Sequence, residues 1–183
     1  MVRSTLCEED EIQNNAVEKA KLKALLAELN CDVSVECQKA RRSLVAMGSA
    51  AIPYLVKALA SKKRWVRWKA AKALGQIGDS TATEALVIAL EDKAFDVRWL
   101  AAEGLISIGL PAMMPLLREL TKNADSVWLR DGAHHVLHDM NRADLDDILR
   151  PVLAALDGPE PVLEVPVAAN AALEALQEPK PNP

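Results

Sequence analysis

The chain has 183 residues, half of them apolar, a net charge of −4 and three cysteines. That length suits one domain with a sizeable core. The charge argues against the strong positive field of a dedicated nucleic-acid binder, and no run of about 18 apolar residues is present to span a membrane.

Cys7, Cys31 and Cys37 form an odd set without a CxxC pair, so reduced thiols are expected rather than a disulfide framework or a structural zinc site. Glu8, Glu9, Asp10 and Glu11 stand where a secretory leader would be apolar, so the protein is expected in the cytoplasm. Charge is unevenly spread: residues 33–150 sum to +3 and the two flanks to −7.

In chain order, residues 1–10 are expected to be a flexible N-terminus ahead of one domain over 11–176. An amphipathic segment from about Glu11 to Leu29 carries Leu22, Leu25, Leu26 and Leu29 and should form a capping helix. ECQKARRSLVAMG then leads to AIPYLVKAL, in which Ile52, Leu55, Val56 and Leu59 fall on one face of a 3.6-residue helix. VRWKAAKALGQIG from Val66 returns 31 residues later as VRWLAAEGLISIG from Val97. Val, Arg, Trp, Ala, Leu, Ile and Gly recur at one offset, as in Val66/Val97, Arg67/Arg98 and Trp68/Trp99.

A fourth copy, LRDGAHHVLHDMN, keeps Leu129, Arg130, Ala133 and Leu137 but has Asp131 in the tryptophan position. TEALVIAL, PAMMPLLREL and DLDDILRPVLAAL supply further second helices. VPVAANAALEAL echoes the pattern once more, with Pro166 in the arginine position, a residue suited to a helix start. Repeats are placed near 33–60, 64–91, 95–121 and 127–156, with a half repeat at 163–176 and a disordered tail over 177–183. The predicted fold is all-α: a right-handed α-solenoid, or superhelix, of about four to five helix pairs with terminal caps. No unit of this length buries its apolar face alone, so neighbours must stack into one core.

The apolar-arginine steps (Val66 Arg67, Val97 Arg98, Leu129 Arg130), the small-residue runs AAKALG and AAEGLI and the GSAAIP opening of a second helix resemble the HEAT-repeat superfamily. In particular they resemble its short bacterial form, the PBS-lyase HEAT-like repeat. That resemblance implies an inter-repeat ladder in which the arginine binds an aspartate of a neighbouring repeat, here Arg67, Arg98 and Arg130 with Asp96. It also raises deoxyhypusine hydroxylases, which hold two irons through His-Glu pairs just after the repeat arginine. Those positions read Trp68 Lys69, Trp99 Leu100 and Asp131 Gly132, so no iron ligand is present and that reading is rejected.

On a helical wheel Val66, Ala70, Ala73, Leu74 and Ile77 share the core sector, and Trp68 points away from it. Trp65 and Lys72 flank Trp68, and the same positions in later repeats hold Trp99, Trp128 and His135. Exposed aromatics in a row mark an interaction surface; the plainer alternative is that they widen the packing between repeats. Lys62, Lys63, Arg64, Arg67 and Lys69 form a basic patch beside them, suited to an acidic protein partner. Tyr54, Lys57, Ile88 and Arg118 of the second helices offer a second candidate seat, for a peptide or helix.

His134, His138 and Asp131 sit at helical spacing but on one helix only, so no metal is assigned. With no cofactor motif and no nucleophile–base pair, the expected function is a non-catalytic protein-interaction scaffold. Two alternatives follow from resemblance alone. One is a phycobilin lyase-like subunit handling a linear tetrapyrrole; the other is a nucleic-acid-binding array of the alkylation-glycosylase kind, using Trp99 and Asp96.

Overall fold

Helices α1 (residues 19–28), α2 (Val35–Ala46), α3 (Ile52–Leu59), α4 (Arg64–Ile77), α5 (Thr83–Ala89), α6 (Phe95–Ile108), α7 (Leu110–Lys122), α8 (Val127–Met140), α9 (Asp146–Asp157) and α10 (Pro161–Gln177) follow one another without an intervening strand in the described residues. This is a computed structural model, and it describes residues 19–29 and 35–177. The expected flexible N-terminus, the start of the capping segment and most of the expected tail lie outside the described residues.

The architecture is an all-α solenoid. First helices α2, α4, α6 and α8 lie side by side in one layer and second helices α3, α5, α7 and α9 in another, with α4, α6 and α8 each packing against the second helix before it. Leu44, Leu74, Leu105 and Leu137, one from each first helix, are fully buried together with Leu55, Leu86, Leu117 and Leu149 from the second helices. The wheel sector read from Ala70, Ala73 and Leu74 is therefore the core face. α1 closes the first pair with Leu22 and Leu29 buried. Among the described residues no helix is long and apolar enough to cross a membrane.

Turn chemistry sets the helix ends. Gly78 adopts φ 65°, ψ 21° and its N–H bonds to the Leu74 carbonyl at 3.0 Å, so α4 stops on a left-handed cap that a Cβ would strain. At the starts of α4, α6 and α8 a short side chain accepts a backbone N–H: the Lys63 N–H donates to Ser61 Oγ, that of Ala94 to Asp92 Oδ1, and that of Leu129 to the N-cap Ser126 Oγ. Ser49 Oγ donates to Asp79 Oδ2 at 2.7 Å and joins the turns of the first two pairs. Asp79 is held below the usual carboxylate range, first by the Thr81 backbone N–H and then by Ser49.

Two details depart from the sequence reading. The echo VPVAANAALEAL suggests a fifth first helix beside α8, yet α10 packs chiefly against α7 and α9, on the second-helix layer. Because α10 begins at Pro161, Pro166 falls in its second turn rather than at its start and forgoes one bond to the carbonyl of Val162. Pro115 and Pro151 occupy the same sixth position of α7 and α9.

Candidate protein-interaction surface

The first helices pack so closely because small residues meet at their crossings. A Cβ on Gly75 of α4 would lie 2.9 Å from the Cα of Gly104 on α6, so only glycine allows that approach. This contact sets α4 and α6 edge to edge, and α8 packs along the far side of α6.

On the outward side, Trp99 is 47% exposed and stacks on His135 of α8, with centroids 4.7 Å apart and planes at 23°. His135 Nε2 lies 3.0 Å from Glu103 Oε1, fixing the imidazole against α6. Phe95, 68% exposed, lies 6.3 Å from Trp99. The Arg98 guanidinium sits 4.7 Å over Trp128 and 5.6 Å from Phe95. Phe95, Trp99, Trp128 and His135 thus form one patch with Arg98 among them. Trp65 and Trp68 lie farther along, each with a lysine over its ring, Lys63 at 5.5 Å and Lys72 at 4.8 Å. Sequence reading missed Phe95, although the chain's one phenylalanine stands four residues before Trp99, the spacing at which helix side chains meet.

The basic patch needs correction. Lys62, Lys63 and Arg64 are exposed, but Arg67 and Lys69 are buried, at 5% and 8% exposure. Arg64 pairs with Asp96 at 3.1 Å on the surface. Lys69 faces the preceding repeat, where its Nζ donates to the Leu29 carbonyl at the end of α1 at 3.0 Å and lies 3.3 Å from Cys37 Sγ. A cation at a helix C-terminus satisfies orphan carbonyls and opposes the negative end of the helix dipole. Cys37 is disulfide-bonded. That corrects the expectation of three reduced thiols.

The ladder also differs from the expected one. Arg67 reaches Asp92 in place of Asp96, with Nε to Oδ2 at 2.5 Å and Nη2 to Oδ1 at 2.8 Å. Asp96 lies within the first turn of α6 and points out to Arg64, whereas Asp92 lies in the loop before α6 and faces Arg67. The Asp92 hydrogen bond raises the Arg67 pKa above its ordinary value against the opposing effect of burial. For Asp92 burial pushes upward, and the Arg67 bond, the Ala94 N–H and the nearby charges of Arg67 and Lys93 together hold it below the usual range.

A second interaction recurs in α4, α6 and α8: Arg67 donates to the Ser61 carbonyl, Arg98 to that of Asp92 and Arg130 to that of Ala124, always six residues back. The repeat arginine is therefore first a clamp on the loop that ends the preceding second helix. Among the described residues it completes a carboxylate rung at Asp92 alone.

His134 turns toward Asp157, at 3.2 Å, and its ring stacks 6.1 Å from His138. Among the described residues no three His, Cys, Asp or Glu side chains converge as a metal ion would need.

The chain belongs to the HEAT-repeat family: the family model for HEAT repeats matches residues 21–105 and 52–138, together more than half of the chain. HEAT repeats in general mediate protein interaction. No curated relative matches. Among solved structures, the crystal structure of an engineered protein is similar at 20% identity over 85% of this chain and 98% of that one, with a TM-score of 0.39.

Proposed function

We propose that this protein is a non-catalytic interaction scaffold that engages a protein partner through the outward face of α4, α6 and α8. The observation that carries this reading is the contiguous patch of Phe95, Trp99 and Trp128, all more than two-fifths exposed and held in place by Arg98 and His135. Large rings fixed before binding lose little entropy on association, and tryptophan with arginine is the composition of interface hot spots. The neighbouring Lys62, Lys63, Arg64 and Lys72 favour a partner that is acidic at the α4 end. With Arg67 and Lys69 withdrawn into the interior, nucleic acid has less to bind on this face.

Affinity capture from the source organism's lysate tests the reading, using wild type beside a Trp65→Ala, Trp99→Ala, Trp128→Ala variant of unchanged circular dichroism. A protein recovered by wild type and lost by the variant supports it. Equal recovery by both refutes it.

A further inference from the structure

The repeat arginines of α4 and α6 share one local frame and end in different company. Each donates to the carbonyl six residues back, Arg67 to Ser61 and Arg98 to Asp92, both at 2.9 Å. For Arg67, the residue at the next repeat's clamp position is Asp92, whose carboxylate takes two bonds from the guanidinium. For Arg98 the corresponding residue is Ala124, whose carbonyl accepts from Arg130. A methyl group therefore stands where a carboxylate would complete the second rung.

No described acid takes its place. Asp92 pairs with Arg67, Asp96 with Arg64 and Glu103 with His135, and among the described residues no carboxylate pairs with Arg98. The Arg98 guanidinium is nonetheless fixed. It is tied to the Asp92 carbonyl, lies 4.7 Å over Trp128 and 5.6 Å from Phe95, and is half-buried. A guanidinium carries five N–H donors, so donors remain beyond the one given to Asp92. The rings beside it displace water and strengthen any ion pair formed there.

We propose that Arg98 is the anchor of the partner surface: it receives the carboxylate of an aspartate or glutamate from a partner protein, as Arg67 receives Asp92, while an apolar residue next to that acid rests on Phe95 and Trp99. This rests on the reading of the outward face as a partner surface and adds the chemistry of what that face takes. A planar fork suits bidentate carboxylate recognition, and one already held in place loses little freedom when the acid arrives. Phe95 is 68% exposed and Trp99 47%, so the acid's apolar neighbour has a surface to cover. A partner presenting lysine or arginine at this point is rejected by like charge.

The test is selection of a displayed random dodecapeptide library on the full chain, after removal of peptides that also bind the Trp65→Ala, Trp99→Ala, Trp128→Ala variant. The recovered peptides are expected to share an aspartate or glutamate beside an aliphatic or aromatic residue. In fluorescence anisotropy, replacing that acid by its amide should weaken binding by about tenfold, the size of one charge-assisted contact. Arg98→Met and Arg98→Lys, each checked by circular dichroism, should cost about the same, because lysine keeps the charge but lacks the fork. Ala124→Asp supplies the missing carboxylate from within the chain and should weaken the peptide similarly, with no further loss when Arg98→Met is added. Recovered peptides without an acid, affinity that survives Arg98→Met, or unchanged affinity in a folded Ala124→Asp protein each overturn the proposal and leave the wider partner surface standing. Recovery of no peptide at all counts against both.

Discussion

Replacing Arg67 by methionine keeps most of the aliphatic stem and removes only the guanidinium, which isolates what the one rung of the ladder contributes. The Arg67 and Asp92 side chains are 6% and 10% exposed, so this is a buried pair rather than a surface one. The variant loses two bonds to the carboxylate, at 2.5 and 2.8 Å, and one to the Ser61 carbonyl at 2.9 Å. Asp92 is left with the Ala94 N–H as its remaining described hydrogen-bond donor. Stranding a buried carboxylate in this way costs about 3 kcal/mol, or a fall in melting temperature of roughly 6–12 °C for a chain of this size.

Arg98→Met is the control within the same molecule. It loses one bond to a neutral carbonyl, that of Asp92 at 2.9 Å, and a half-exposed contact with Trp128, worth about 1–2 kcal/mol together. Urea denaturation of both variants, with Asp92→Asn and the Arg67→Met/Asp92→Asn pair, forms a double-mutant cycle. If Arg67→Met costs no more than Arg98→Met, or if the cycle shows no coupling, the assignment of the rung to Asp92 is wrong.

Acid should weaken the same contact. The Asp92 pKa is depressed in the fold, so its contribution is present above the ordinary carboxylate value near 4 and is lost as pH falls through the depressed one; wild type should therefore lose more stability than Asp92→Asn on acidification below about pH 4, as read from urea midpoints. Gly75→Ala places a Cβ 2.9 Å from the Gly104 backbone and should destabilise by about 2 kcal/mol by forcing α4 and α6 apart; an unchanged denaturation midpoint would contradict this. Gly132→Ala instead meets the end of the Leu90 side chain at 2.8 Å, which can rotate away, so its cost should stay below about 1 kcal/mol. Truncation after Gly158 removes α10, and hydrogen exchange should then rise in α7 and α9 while α4 stays protected, because an array loses stability locally; uniform loss of protection would argue otherwise.

What was legible in the sequence was whatever repeats. Ala70 and Leu74 return as Ala101 and Leu105, and this periodicity located the core face and both helix layers. The outward positions followed by subtraction, since a residue opposite the core sector has nowhere else to point.

What was not legible depended on acceptors distant in the chain. Lys69 is buried because the end of α1, 40 residues earlier, offers it a carbonyl, and no local pattern records that. Asp96 matched the family expectation by its place in the helix, yet Asp92, four residues before it, faces the guanidinium. α10 carries the composition of another first helix, but its Val165, Ala169, Ala172 and Leu173 fit the second-helix layer as well as the first; which neighbour wins is a matter of packing, not of period.

Shared and unshared residues play different parts in such an array. The arginine clamp on the loop six residues back occurs in α4, α6 and α8 alike; being common to these three, it specifies the scaffold. The differences at equivalent positions carry the individuality. Asp92 has its counterpart in Ala124, so Arg98 lacks an equivalent carboxylate and its guanidinium lies over Trp128 instead. Trp68 and Trp99 give way to Asp131, and Lys72 and Glu103 to His135, which crosses back to stack on Trp99. Where the ladder ends, the aromatic patch begins. With Ala124 in place of a carboxylate, the Arg98 guanidinium is held among exposed rings, and that one exchange creates the arrangement on which the proposed partner surface rests.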